Sequence, residues 1–370
     1  MGLNKYRLGD YIERSTANNR TLKYKEDLIV GVTSDGVFSA PKGNVNGVDL
    51  TPYKIVNNGD FVYNPSRFDL GSIAYRTEGL CIVSHLYQIF HLNDKGKEII
   101  DPIWLFIYLR RKEFRREVTF RNFGSQRPEF NFNDLSEIEL PLPAIEQQRK
   151  YVDVYLALQS NLAVYQSKVD ELKLVCDGYI DRLKVGTPKQ KICDLLETVD
   201  KRNSELTYTG VQGININKTL FPTIANIDEG STRNYKVVEY NQFAFSGMQT
   251  GRDMCIRIAL NEESKPVIIS PAYTVFRIKD DNVVLSHYIM LWFSREQIDR
   301  YGWFASDGSI RSNLDLERLF EMEIPIPDIK VQQEIVNIHK CCIERQRIAE
   351  ALKEQINNIC PVLIRGSLIE

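Results

Sequence analysis

The chain has 370 residues, 43% apolar and 26% charged, a balance that excludes collagen-like, mucin-like and wholly disordered classes. Lys and Arg number 47 against 49 Asp and Glu, so the net charge of −2 provides no global cation field. A nucleic-acid partner would have to be met by clustered charge.

The opening segment MGLNKYRLGDYIERS lacks a basic stretch followed by an apolar run, and nothing downstream resembles a membrane span, so a soluble cytoplasmic protein is expected. From there the chain offers short β-branched and aromatic runs broken by Gly, Asn and Pro, the pattern of strands in a mixed sheet. Tyr53-Lys54-Ile55-Val56, Phe61-Val62-Tyr63, Ile82-Val83-Ser84 and Tyr87-Gln88-Ile89-Phe90 are the clearest. A helix is predicted over Asp101 to Val118, with Asp101 as N-cap and Pro102 at the first helical position. After Leu140-Pro141-Leu142-Pro143 the pattern changes to a seven-residue apolar period. Tyr155, Leu158, Leu162, Tyr165, Val169, Leu172, Cys176, Tyr179 and Leu183 follow strict 4,3 spacing, a coiled-coil seam.

The second half then rereads the first, about 184 residues later. Arg7-Leu8-Gly9-Asp10 returns as Lys191-Ile192-Cys193-Asp194, and Phe61-Val62-Tyr63 as Phe243-Ala244-Phe245. The counterpart of the Asp101 helix starts at Ser286. Gly124-Ser125-Gln126-Arg127 recurs as Gly308-Ser309-Ile310-Arg311, and Ile324-Pro325-Ile326-Pro327 opens a second seam through Ile335, Ile338, Cys342, Arg345, Ala349, Leu352, Ile356, Ile359 and Leu363. Such a repeat means two copies of one module. The expected fold is α+β: mixed α/β domains over residues 1–142 and 187–326, each followed by a long helix, 143–186 and 327–370. An apolar-striped helix of 40 residues, roughly 60 Å, is unstable alone in water, so the two helices are expected to pair as an antiparallel coiled coil.

The common catalytic signatures are missing. No Gly-x-Gly and no Walker loop occur, which removes the nucleotide and S-adenosylmethionine loops that need close glycine approach. Asn64-Pro65-Ser66-Arg67 shares Asn-Pro with the amino-methyltransferase motif but lacks its second proline and stacking aromatic. Pro327-Asp328 has no acid-x-Lys after it and reads as a helix entry. Cys81, Cys176, Cys193, Cys255, Cys341, Cys342 and Cys360 show no Cys-x-x-Cys pairing and read as reduced thiols. His85, His91, His287 and His339 are scattered and read as structural rather than as metal ligands.

Two surfaces are candidates for contact with DNA. One is the basic run Arg110, Arg111, Lys112, Arg115, Arg116, Arg121 and Arg127, beside a loop with Asn122, Gly124, Ser125 and Gln126, residue types that reach phosphates and base edges. Gly308, Ser309 and Arg311 are its repeat. The other follows the strand at 61–63 and comprises Tyr63, Asn64, Arg67, Gly71 and Ser72, matched by Ser246, Gln249, Thr250 and Arg252. There the modules share a framework and differ in side chains, as two readers of different sequences would.

With two globular domains, each followed by a Pro-Leu-Pro or Pro-Ile-Pro entry, a Gln-rich start (Glu146-Gln147-Gln148-Arg149-Lys150 and Val331-Gln332-Gln333-Glu334) and a heptad helix, the chain resembles the specificity subunit of type I restriction-modification systems over its whole length. The resemblance implies two target-recognition domains, each reading half of a split double-stranded DNA site, with the helices as a ruler between them. It implies a non-catalytic subunit without cofactors of its own. Two methyltransferase (modification) subunits and the restriction/translocase subunits would carry S-adenosylmethionine, ATP and magnesium. The reading from another class is a coiled-coil adaptor whose globular ends bind protein partners.

Overall fold

The computed structural model describes residues 4–41, 43–121, 129–223, 229–309 and 312–368. The chain divides into two compact units, residues 1–164 with 349–370, and residues 165–348. Among the described residues no helix is long and apolar enough to cross a membrane.

In the first unit a four-stranded antiparallel sheet runs in the order Ile12–Arg14, Gln88–Leu92, Phe61–Tyr63, Ile73–Tyr75. Its centre reads as an unbroken apolar run because both faces are buried. Alternation sends Phe61, Tyr63 and Phe90 into a core with Trp104, Leu105 and Phe114, and Val62 and Ile89 into a second core with Val56, Cys81 and Val83. Lys54–Val56 pairs with Cys81–Val83, and Gly31–Val32 with Phe38–Ser39.

The second unit repeats the scheme. Its antiparallel sheet is ordered Leu196–Val199, Thr274–Ile278, Phe243–Ser246, Arg257–Leu260. A further sheet, Leu220–Pro222, Val211–Ile214, Val267–Ile269 and Lys236–Val238, contains a parallel pair between its two middle strands. The strand before each long helix pairs with the start of its own unit's domain in the same register, Lys5 opposite Pro141 and Lys189 opposite Pro325.

The helix predicted over Asp101 to Val118 is two helices, Pro102–Arg110 and Lys112–Arg121. Asp101 caps the first as expected, its Oδ1 accepting from the amides of Ile103 and Trp104 at 2.9 and 3.1 Å. The break falls at Arg111, whose guanidinium lies 3.7 Å from the centre of the Tyr108 ring. The second unit breaks at the matching place, between Ser286–Phe293 and Glu296–Ala305, where the Arg295 guanidinium lies 5.4 Å from the Trp292 ring. Arg295 is nearly enclosed and donates to Asp177 and Asp181 of the first long helix at 3.2 and 2.6 Å. Hydrogen bonds from Lys184 and Arg295 hold the Asp181 carboxyl below the usual range.

The long helices are Ile145–Leu183 and Ile329–Ser367. Every 4,3 position of both seams is buried or half-buried, while the positions between them are mostly exposed. Within the first unit the start of one helix lies against the end of the other, with Val152 and Tyr155 packed in a core that also holds Cys360 and Ile364. Within the second unit the Arg345 guanidinium lies 5.6 Å from the Tyr165 ring and the Cys342 thiol reaches the Val169 carbonyl at 3.6 Å. The pairing is antiparallel in each. Arg345, the one polar seam position, is accommodated by that aromatic face. Pro361 sits inside the second helix, which runs on through it despite the missing amide donor.

A glutamine fastens each long helix to its domain. Gln148 is fully buried; its Oε1 accepts from the Asp101 amide at 2.8 Å, and its Nε2 donates to the carbonyls of Ile99 and Pro143 at 2.8 and 2.9 Å. Gln332 repeats this, accepting from the Leu285 amide at 3.0 Å and donating to Val283 and Pro327 at 2.9 Å each. One side chain thus satisfies an amide and two carbonyls where the long helix meets its domain. Gln148→Ala and Gln332→Ala should each destabilise the protein by about 3 kcal/mol, since buried groups left unpaired cost more than a mean hydrogen bond. Urea titration followed by circular dichroism should show a lower midpoint for both, and Glu at either position should not rescue it, because a carboxylate cannot donate.

Candidate nucleic-acid interface

The third strand in each sheet order ends in a turn that is held from several sides. In the first unit Asn64 caps the turn Pro65–Arg67, its Oδ1 accepting from the Ser66 amide at 3.1 Å. The Ser72 hydroxyl donates to the Val32 carbonyl at 3.0 Å, and Arg115 Nε donates to the Asp69 carbonyl at 2.6 Å. Gly71 has φ +94° and a β-carbon there would meet the Ser34 carbonyl at 2.8 Å, so only glycine fits. A cleft of about 420 Å³ opens beside the turn, with Tyr53, Arg67, Leu70, Ser72, Ser84 and Tyr87 among its lining. Arg67 is exposed at this edge.

Tyr63 does not belong to that surface. Its ring is 0% exposed, packed edge-on against Phe68 at 4.8 Å, and burial drives its phenol far above the ordinary value. Strand alternation decides this, because Tyr63 shares the helix-facing side with Phe61. Ser72, Ser246 and Thr250 are likewise buried, so in this conformation they shape the turn from beneath. Thr250 donates to the Gly247 carbonyl at 3.0 Å.

In the second unit the turn carries Gln249 and an exposed Arg252 on the short helix Thr250–Asp253. It is knitted to the loop that carries Gly308 and Ser309. Gln249 donates its amide to Asn313 Oδ1 at 3.3 Å, Gly251 to the Ser312 carbonyl at 2.9 Å, and the Leu314 amide donates to the Gly247 carbonyl at 2.8 Å. Asp307 gathers the loop, accepting at Oδ1 from the Ser309 hydroxyl at 2.6 Å and from the Asn313 amide at 3.0 Å. These bonds hold its carboxyl below the usual range. Gly308 and Ser309 are exposed.

The first unit carries the equivalent of the Leu314 bond, from the Phe130 amide to the Pro65 carbonyl at 3.0 Å. Asn122, Gly124, Ser125, Gln126 and Arg127 lie outside the described residues, as does Arg311. In the second unit the two surfaces that look separate in sequence are therefore joined by backbone bonds, and in the first unit the segment at Phe130 makes the bond at the position matching Leu314.

Less of the basic run is free than its sequence suggests. Arg111 stacks on Tyr108, Arg115 holds Asp69, and Arg110 is packed beside Phe106 with Nη2 3.5 Å from the Ser34 carbonyl. Arg116 and Arg121 face outward, paired with Glu113 and Glu117. Sequence reading also missed Lys218, whose ammonium is buried in an ion pair with Asp299 at 2.6 Å and donates to the Ile256 carbonyl at 2.9 Å. The same Asp299 oxygen accepts the Ile256 amide at 2.9 Å, tying a hairpin and the turn's return strand to the helix Glu296–Ala305. A lone lysine in a turn carries no sequence signal for such a role.

One solved structure shares this architecture, and two others align with the chain more loosely. The S subunit of a type I restriction-modification system from M. genitalium aligns over 100% of this chain and 97% of that chain, at 13% identity and a TM-score of 0.63. The HsdS subunit from Thermoanaerobacter tengcongensis aligns over 99% and 96%, at 15% identity and a TM-score of 0.39. A chain from a structure of type I R-M complex assembly and conformational transition aligns over 99% and 98%, at 16% identity and a TM-score of 0.48. At these identities the first likeness is one of fold. No curated protein sequence matches the chain. The model of the type I restriction modification DNA specificity domain matches residues 2–174 and 237–358, one stretch in each copy of the internal repeat. With most of its length matched in this way, the chain belongs to the type I restriction-modification DNA specificity family.

Proposed function

We propose that the chain is the DNA-reading subunit of a type I restriction-modification complex that recognises a bipartite site, one half through each globular domain. The observation that carries this reading is the repeated edge. In both units the same backbone bond, Phe130 to Pro65 and Leu314 to Gly247, joins a post-strand turn to a following loop. The framework is shared, whereas the side chains at the edge differ: the half-buried Asn64 and exposed Arg67 in one, the half-buried Gln249 and exposed Arg252 and Ser309 in the other. A common scaffold with divergent hydrogen-bonding groups suits two readers of unlike half-sites.

In this proposal the long helices fix the separation of half-sites. Each has 39 residues, and a rigid helical spacer can hold two contacts at roughly the 34 to 36 Å of one DNA turn, which a flexible linker could not. The chain itself performs no chemistry. Methyltransferase subunits would supply S-adenosylmethionine and adenine methylation, and restriction/translocase subunits would supply ATP- and magnesium-dependent cleavage. The net charge of −2 fits a subunit that binds DNA modestly alone and firmly within the complex.

Replacing residues 1–142 by the corresponding domain of another member should change one half of the methylated motif and leave the other half fixed, as read by whole-genome methylation sequencing. A motif that changes throughout, or not at all, would refute one domain per half-site. Arg67→Ala and Arg252→Ala should each weaken binding of the assembled complex by about tenfold, the scale of one lost base or phosphate contact. Fluorescence anisotropy with a duplex containing the motif measures this, and relaxed methylation should be confined to the half read by the altered unit.

A further inference from the structure

A pair of residues repeats on the outward face of the helix that leads into each loop. Phe120 lies in the last turn of Lys112–Arg121 and Phe304 in the last turn of Glu296–Ala305. They occupy matching positions of the repeat, and both are 82% exposed. Their helices bury the opposite side, Phe114 and Val118 in one, Ile298 and Gly302 in the other, so neither ring can reach its own core. One turn earlier each phenylalanine has an exposed arginine, Arg116 and Arg300, each paired at the surface with a glutamate of its own helix, Glu113 at 3.9 Å and Glu296 at 2.6 Å, pairs that a phosphate would have to displace. The residue beside each ring differs, Thr119 in one copy and Trp303 in the other. Two helices that have otherwise diverged thus keep one cation and one bare ring at i and i+4 on the solvent side.

We infer that each Arg–Phe pair engages duplex DNA at its half-site, the guanidinium on a phosphate and the ring as a wedge that partly unstacks a base step. The inference rests on the DNA-recognition reading. Two facts favour DNA over a protein face. The ring is accompanied by a cation in both copies, the complement of a phosphate backbone, and it stands on the helix that enters the Gly-Ser-x-Arg segment in each copy. Apolar side chains inserted between base steps are an established means of bending a duplex toward the protein. An outward ring held by a helix costs little conformational entropy to dock, since its backbone is already ordered.

The test uses the full chain assembled with its methyltransferase subunits and duplexes of the motif mapped by methylation sequencing, with 2-aminopurine placed in turn along each half. The wild-type complex should raise the fluorescence at one step in each half. Phe120→Ala should abolish the rise in one half alone, Phe304→Ala in the other, with binding about tenfold weaker in each case, the scale of one lost stacking contact. Leucine should retain much of the effect. Arg116→Ala should leave the fluorescence in place and reduce the slope of log affinity against log salt by about one unit. Unchanged fluorescence and affinity in both alanine variants would overturn the wedge while leaving DNA recognition standing. So would loss of the methyltransferase subunits on purification, which would assign the rings to a protein contact. A wild-type complex indifferent to the duplex would sink the DNA reading and the wedge together.

Discussion

Gln148 and Gln332 are the joints on which the two units depend. Each long helix begins immediately after a Pro-x-Pro segment whose first proline ends the short strand paired with the start of its domain. A single buried amide side chain accepts from the amide that starts the domain's own helix pair and donates to two carbonyls, one of them in the proline segment itself. Glutamine alone combines one acceptor and two donors at that reach. The alternative is an orphaned polar group in the core, so the helix cannot swivel on its domain without breaking three bonds at once. A reader of split DNA sites requires such a joint, because freedom at the domain would blur whatever spacing the helices provide.

Around this joint the two copies keep the parts that carry geometry and vary the parts that face outward. A buried aromatic with a polar tip is kept at matching positions though its partner is not: Trp104 donates its indole N–H to Ser367, and Tyr288 donates its hydroxyl to the Pro325 carbonyl. Tyr108 with Arg111 and Trp292 with Arg295 repeat the cation–ring contact at the helix break. The bond from loop to turn recurs unchanged. By contrast the turn itself is a capped Asn64-Pro65 corner in one copy and a short helix in the other, bounded by left-handed residues, Gln249 at φ +61° and Met254 at φ +48°. A duplicated module can change half-site preference only if such variation leaves the sheet and the joint undisturbed, and both are buried away from it.

How far the sequence revealed this differs between elements. The seams were legible because 4,3 spacing is a property of one helix, and packing followed it even at Arg345, where an aromatic face on the facing helix receives the cation. The helix break at Arg111 was not legible, since no Gly or Pro marks it and the stacking that stabilises it is a contact with a ring three residues back. Tyr63 looked like a surface residue because Tyr is at home at interfaces, and only the pleat of a sheet buried on both faces assigns it to the core. The basic run appeared as one patch because sequence counts charges without saying which are spent on Tyr108, Asp69 or Ser34.

The sequence by itself determined the duplication, the paired heptad helices, the absence of common cofactor loops and the family resemblance, all of them periodic or ordered patterns that a linear string can carry. Tertiary structure alone decided which polar residues face solvent, that the turn and the loop form one edge in the second unit, and that Gln148 and Gln332 do equivalent work. Those facts depend on groups brought together from far apart in the chain, and no local propensity encodes whether a side chain will find a partner there or water.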